Sequence, residues 1–366
     1  MKNTKAEVNY TKILDCMHQH FDGKINRPQI KLIAQVVMAL CKVQTVNLKM
    51  LAIGFETAGK ASADSSMRRI QRFLSKYMLD TDLIAKMIMN LIPLEGPYQL
   101  AMDRTEWDFG SCRINILALG IVYKGCAFPI LFTMLPKKGN SNTTERIALM
   151  ERYIRLFGKQ TLGSLLADRE FVGHMWVKYL MKEEIPYFIR VKESFIVHFT
   201  NGDKVKASRL FSPLKVGEKA RRDKPVMVCG INCYLTAFKV KGRNNKPELQ
   251  IIISYDQETC PIQEYANRWQ IETMFKGMKT SGFNLQKTHL KDPERLARLL
   301  TLVMIAYTWA YKTGIYIHET ISKIPIKSHG RRAKSFMKYG LEFIEEVLLN
   351  PFNLHKINVF QILSCT

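Results

Sequence analysis

The chain has 366 residues, 47% of them hydrophobic, which is enough to bury a sizeable core in two or three domains and excludes an intrinsically disordered chain. Its 55 Lys and Arg against 32 Asp and Glu leave a net charge of +23, which points to a polyanionic partner, with nucleic acid ahead of a membrane surface. The longest apolar run, 299–311, is too short to span a bilayer, and the opening MKNTKAEVNY lacks the apolar stretch of a signal peptide. The eight cysteines are scattered through apolar segments and read as reduced thiols of an intracellular, cytoplasmic protein.

Residues 1–95 read as all-helical and as a separately folding unit. In 28–41, Ile33, Val36, Val37 and Leu40 recur at helix spacing, and a short helix at 47–53 ends on Gly54. The segment SADSSMRRIQRFLSKYM starts a helix that Ser62, Asp64 or Ser65 can cap, with Met67, Ile70, Leu74 and Tyr77 as its inner stripe. Arg68, Arg69, Arg72 and Lys76 lie on the outer side. A helix pair joined by a turn and ending in a basic face fits a DNA-binding helix-turn-helix, the alternative being an ordinary solvated helix.

From Pro97 the period changes. A short strand, 98–102, runs into Asp103; 113–123 and 127–135 form an antiparallel meander; a helix at 143–157 precedes strand 162–167, which stops at Asp168. Helix 175–182 and strand 187–191 complete an α/β unit. Between 192 and 256 the pattern is β only. Strands 195–200 and 204–210 flank the Asn201-Gly202 hairpin signal, and 226–240 and 249–255 flank the turn KGRNNKP. Cys229 and Cys233 sit together in the first of these latter strands, without the second ligand pair of a zinc site. A long helix at 292–312 and a last helix ending near residue 350 enclose the basic run KSHGRRAKSFMKYG. The chain thus divides into a helical DNA-binding unit (1–95), an α/β core in two pieces (96–192 and 257–315), a β-rich insertion (193–256) and a C-terminal helical region (316–366).

The stretch PIQEYANRWQIETMFKGMK, 261–279, has the proline start and helix formers of one continuous helix. At about 100° per residue, Tyr265, Arg268, Glu272 and Lys279 fall within an arc of about 60°. That pattern is either a salt-bridged surface helix or a metal-binding carboxylate flanked by phosphate-gripping cations. Asp103 and Asp168, each where an apolar strand stops, favour the second. Together with Glu272 they form a hard oxygen donor set for Mg²⁺ or Mn²⁺.

Tyr265, Arg268, Glu272 and Lys279 match Y-x2-R-x3-E-x6-K without a gap, and by this signature the chain resembles the DDE transposases of bacterial insertion sequences, specifically the insertion-sequence-four family. Asp103 in MDRTEW and Asp168 in LADREF resemble that family's first and second acids in setting and order. The resemblance covers roughly 95–315. It implies an α/β ribonuclease H-like catalytic core carrying a β-strand insertion, preceded by an all-α DNA-binding domain. It implies catalysis by Asp103, Asp168 and Glu272 with two Mg²⁺ or Mn²⁺ ions, and Arg268, Lys279 and Tyr265 as further catalytic and DNA-binding residues. Double-stranded DNA, both terminal inverted repeats and target, is the implied partner, and a homodimer is expected to pair the ends in the bacterial nucleoid. Alternatives are a non-catalytic DNA-binding product of a decayed or domesticated element, and a metal-dependent nuclease on the same fold.

Overall fold

The computed structural model describes residues 5–21, 23–55, 62–109, 112–242, 245–257, 261–328, 330–350 and 358–363. Arg243 and Asn244 of the turn KGRNNKP lie outside them. The chain opens with α1 (Lys5–Phe21), α2 (Arg27–Val43), α3 (Leu48–Gly54), α4 (Ala63–Lys76) and α5 (Thr81–Leu91). Each start from α2 onward has its capping side chain: Asn26, Asn47, Ser62 and Asp80 all accept backbone N–H groups that the helix leaves unpaired.

The sheet begins with β1 (Tyr98–Phe109), β2 (Cys112–Tyr123) and β3 (Cys126–Met134), an antiparallel meander. After α6 (Thr143–Phe157), β4 (Leu162–Ala167) pairs parallel with β1. After α7 (His174–Lys182), β5 (Tyr187–Val191) pairs parallel with β4. The order β3-β2-β1-β4-β5, with helices in the crossovers, is a mixed α/β sheet consistent with the ribonuclease H-like core expected.

The region 193–256 is β-rich, as its pattern predicts, and it extends the same sheet. Its elements are β6 (Ile196–His198), β7 (Lys204–Lys206), α8 (Ala207–Leu210), β8 (Lys219–Arg221), β9 (Val226–Val228), β10 (Ile231–Lys241) and β11 (Pro247–Ser254). β11 adds antiparallel to β5, and β10 carries β8 and β9 beyond it. Two expectations need correction here. The strand 204–210 ends at Lys206 and turns into α8. The strand 226–240 is two strands, because Cys229 and Gly230 both take the left-handed φ of a tight hairpin turn.

Two further corrections bear on the site. β1 does not stop at Met102: its polar half stays in the sheet because apolar β2 pairs with it to the end and Arg113 of β2 bridges Glu106 at 2.7 Å and Asp108 at 2.9 Å. The stretch 261–279 is not one regular helix. It comprises α9 (Pro261–Ala266), α10 (Trp269–Lys276) and a π segment, Gly277–Ser281. Between the two helices the bonds tighten to three-residue spacing, Arg268 N to Tyr265 O at 2.9 Å and Ile271 N to Arg268 O at 3.2 Å, while Arg268 keeps a right-handed helical φ and ψ.

Helix α11 (Pro293–Thr320) is buried on nearly every side and packs on α2, α4, α5, β3 and α12 (Phe336–Leu349). The helices of 1–95 therefore share their core with α11 and α12, in one continuous apolar cluster. Helix α11 also runs unbroken through residue 315. No single described helix is long and apolar enough to cross a membrane.

Helices α11 and α12 touch backbone to backbone. A Cβ at Gly314 would overlap the Phe336 carbonyl oxygen, and one at Gly340 would overlap that of Ala310. Neither obstacle is a side chain that can turn aside. Gly314→Ala and Gly340→Ala are each expected to lower unfolding stability by about 1–3 kcal/mol or more in urea titrations, the usual range for overpacked cores. Midpoints equal to wild type would contradict this close crossing.

Candidate active site

The register of the central strands builds the site. The parallel ladder of β1 and β4 ends with Met102 opposite Ala167, so the next residue on each strand is an acid, Asp103 and Asp168. Asp103 thus sits where the ladder ends although β1 itself continues, and Asp168 opens the turn after β4. Asp103 Oδ1 accepts the Arg104 N–H at 2.7 Å, and Asp168 Oδ1 accepts the Arg169 N–H.

Burial pushes the Asp103 carboxyl up to about 7. The Arg268 guanidinium and the Arg104 N–H oppose that rise, while the Glu272 and Asp168 carboxylates add to it. Arg268 spans the acids: Nη1 lies 3.5 Å from Asp103 Oδ2 and Nη2 donates to Glu272 Oε1. The Arg268 side chain is 13% exposed against 57% for Glu272, so the guanidinium lies inside and the carboxylate at the rim. Tyr265 is buried beneath it, 5.9 Å from ring centre to guanidinium carbon, and burial pushes its phenol up to about 12. The ring thus supports Arg268 from inside the protein.

Lys279 departs from the predicted arc. The tightened turn and the π segment change the angular advance, and Nζ donates to Thr105 Oγ1 at 3.0 Å and to the Glu106 carbonyl at 3.1 Å, 5.1 Å from the Trp107 ring centre. Thr105 and Trp107 share a sheet face with Asp103, so Lys279 is anchored on β1 two residues beyond that acid. Burial lowers the Lys279 ammonium, and Glu106 partly restores it.

Several residues that position the site carry no signal in the motif. Asn267 Nδ2 donates to Gln99 Oε1 at 2.8 Å, and Gln99 in turn donates to Glu264 and to Ser164, tying the break before Arg268 to β1 and β4. On the other face of β1, Arg104 donates to Glu170 at 2.9 Å, Glu106 at 2.6 Å and Asn115 at 3.1 Å. Buried Arg146 donates to the Glu170 carbonyl at 3.0 Å. Arg104 follows Asp103 and Glu170 lies two residues beyond Asp168, so this pair pins the two strand-end acids to each other. Strand alternation in DRTEW was the available signal, since it sends Arg104 and Glu106 to the face opposite Asp103.

The structure keeps the other predicted contacts apart from the acids. Arg68, Arg69, Arg72 and Lys76 are all exposed on α4, with Arg69 donating to Gln35 at 3.3 Å. The buried side of α4 is Ser66, Ile70, Phe73 and Leu74. The cysteine pair is divided: Cys229 lies in the β9–β10 turn, whereas Cys233 is buried with its Sγ 3.1 Å from the Tyr187 hydroxyl.

Among the described residues, no three of His, Cys, Asp and Glu stand together as a ready metal cage. Arg268 holds the place between Asp103 and Glu272 instead. The donor chemistry still fits a divalent ion, because the Asp103 carboxyl is withdrawn from water while the Asp168 and Glu272 carboxylates both act on it, a setting that a cation relieves. Among curated proteins none matches the chain. Residues 94–309, well over half of it, match the transposase DDE domain. That span begins just before β1 and ends within α11, taking in both strand-end acids and the whole of α9 and α10, and the chain belongs to the DDE transposase family.

Proposed function

We propose that this transposase binds the terminal inverted repeats of a bacterial insertion sequence, cleaves the ends and joins their 3′-hydroxyls to target DNA. The observation that supports this reading best is the register that sets Asp103 beside Asp168, with Arg268 and Glu272 brought against Asp103 from α10. The match of Tyr265, Arg268, Glu272 and Lys279 to Y-x2-R-x3-E-x6-K supports membership of the insertion-sequence-four group.

Asp103, Asp168 and Glu272 are the residues that would hold Mg²⁺ or Mn²⁺, as one or two ions. A bound pair supplies an activated water or 3′-hydroxyl and stabilises the leaving oxygen. Arg268 balances Asp103 and Glu272 before DNA arrives and then turns its fork toward the reacting phosphate. Lys279, held along β1, grips the strand one step away. Arg104 and Glu170 fix the spacing of the two strand-end acids from behind. The exposed cations of α4 contact the inverted repeat, in a homodimer that pairs two ends in the bacterial cytoplasm.

Asp103→Asn, Asp168→Asn and Glu272→Gln should each abolish Mg²⁺-dependent cleavage while duplex binding in a shift assay stays near wild type, because affinity comes mainly from phosphate contacts. A variant that cuts at the normal rate leaves the set of ligands.

Glu170→Gln should slow cleavage by about 10–100-fold, the usual effect of outer partners of metal ligands, and raise the Mg²⁺ concentration needed for half-maximal rate. A lower melting temperature with an unchanged metal requirement would instead make Glu170 a stability residue only.

Because α4 shares its core with α11, its role is best tested in the full chain. Arg68→Ala/Arg69→Ala/Arg72→Ala should lose preference for a duplex from the ends flanking the gene over a scrambled one. An unchanged preference would remove α4 from end recognition.

A further inference from the structure

The segment that carries Lys279 is held from outside its own helix. Gly282 and Phe283 both donate their N–H to the Gly277 carbonyl, Phe283 at 3.3 Å, which closes the π turn. Such turns are rare and occur mostly where function fixes them. Met337 of α12 presses on this one: a Cβ at Gly277 would lie 2.6 Å from the Met337 Cε, and one at Gly282 3.0 Å. A further hold comes from the turn between α2 and α3. The Val46 N–H donates to the Phe283 carbonyl at 2.9 Å, and Asn284 Nδ2 donates to the Gln44 carbonyl at 3.1 Å, across 240 positions of sequence.

Gln44 and Asn284 both sit in the left-handed region, at φ 49° and 51°, which residues other than glycine enter where their surroundings fix them. Both are fixed here. The Gln44 N–H closes α2 by donating to the Leu40 carbonyl at 2.9 Å, its Nε2 donates to Glu345 Oε2 at 2.6 Å, and its Oε1 accepts from Lys338 Nζ at 2.7 Å. Phe283, between the π turn and Asn284, is fully buried, so packing anchors the joint as well as hydrogen bonds. Lys279 lies five residues before Asn284, and its Nζ reaches Thr105 and Glu106 of β1.

We propose that Asn284 and Gln44 are positioning residues for cleavage: through them the α2–α3 turn fixes the end of the π segment and so holds the Lys279 ammonium on β1. The inference rests on the reading of Lys279 as a grip on the strand being cut. The competing role is a purely structural fastening of α2 to the rest of the core.

The mechanical part is tested on the full chain without DNA. Brief acetylation with an N-hydroxysuccinimide ester, followed by mass spectrometry, reads how often each lysine leaves its partners. Asn284→Gly keeps the left-handed backbone but removes the donor, and should speed labelling of Lys279 by about 2–10-fold, the usual worth of one hydrogen bond. Asn284→Asp, also tolerant of that backbone and without an N–H to donate, should do the same. Lys239, whose Nζ donates to the Leu214 carbonyl at 2.9 Å in the inserted strands, is the reference for general loosening. Unchanged labelling of Lys279, or an equal rise at Lys239, overturns the proposal.

The catalytic part is read by single-turnover cleavage in preassembled complexes. Asn284→Gly should slow cleavage by a similar factor in the wild-type background and add nothing to Lys279→Ala, because a residue that acts through Lys279 has no effect once the ammonium is gone. Additive losses, or cleavage by Asn284→Gly at the wild-type rate, overturn the positioning role. A Lys279→Ala chain that cuts normally overturns the reading of Lys279 itself, and the labelling then decides alone whether the joint holds the ammonium.

Discussion

A carboxylate withdrawn from water beside two others needs a cation, and the placement of Asp103 imposes that need on everything around it. Arg268 answers it in the absence of DNA, lying between Asp103 and Glu272 with the buried Tyr265 ring beneath. To bring the guanidinium there, the chain tightens between α9 and α10, and Asn267, Gln99 and Glu264 hold that tightened turn against the sheet. The break in the helix is thus a positioning device held by its own three-residue bonds and by Asn267 and Gln99.

The same requirement explains the division of labour in the sheet. β1 has an antiparallel neighbour along its whole length and a parallel one along half of it, so one strand carries both a scaffold and a strand-end acid. The second acid comes from the shorter neighbour, and the Arg104–Glu170 pair on the reverse face joins the two. Beyond β5, the inserted strands cover what would otherwise be an open sheet edge. On the other side, α11 gathers α2, α4, α5 and α12 around a helix with almost no exposed face. Asp82 of α5 also bonds Arg152 of α6 at 2.6 Å, a polar tie between the opening helices and the α/β core. The basic face of α4 is therefore carried on the same body as the acids.

Charge is segregated accordingly. The net charge of +23 coexists with a concentration of carboxylates at the centre, where Asp103 and Glu272 pair with Arg268, and Glu106 and Glu170 with Arg104. The outer face of α4 carries the exposed cations Arg68, Arg69, Arg72 and Lys76. A polyanion approaching this surface meets positive charge first and carboxylates only where the site is to act.

Much of this was legible in the residues alone. The meander, the alternating α/β unit, the capped helices and the order of the three acids follow from period, turn chemistry and spacing, because those depend on neighbours a few positions away. The regular arc drawn through Tyr265, Arg268, Glu272 and Lys279 was half right. Tyr265, Arg268 and Glu272 do cluster, but Lys279 is displaced onto β1, since a three-residue tightening and a π segment are set by what the helix packs against. The extent of β1, the pinning of the acids by Arg104 and Glu170 and the shared core of the opening helices with α11 were decided only by the tertiary structure. Each depends on a partner that the local period does not name, such as Glu170, 66 positions from Arg104, or Arg298 of α11, 224 positions from Leu74 of α4.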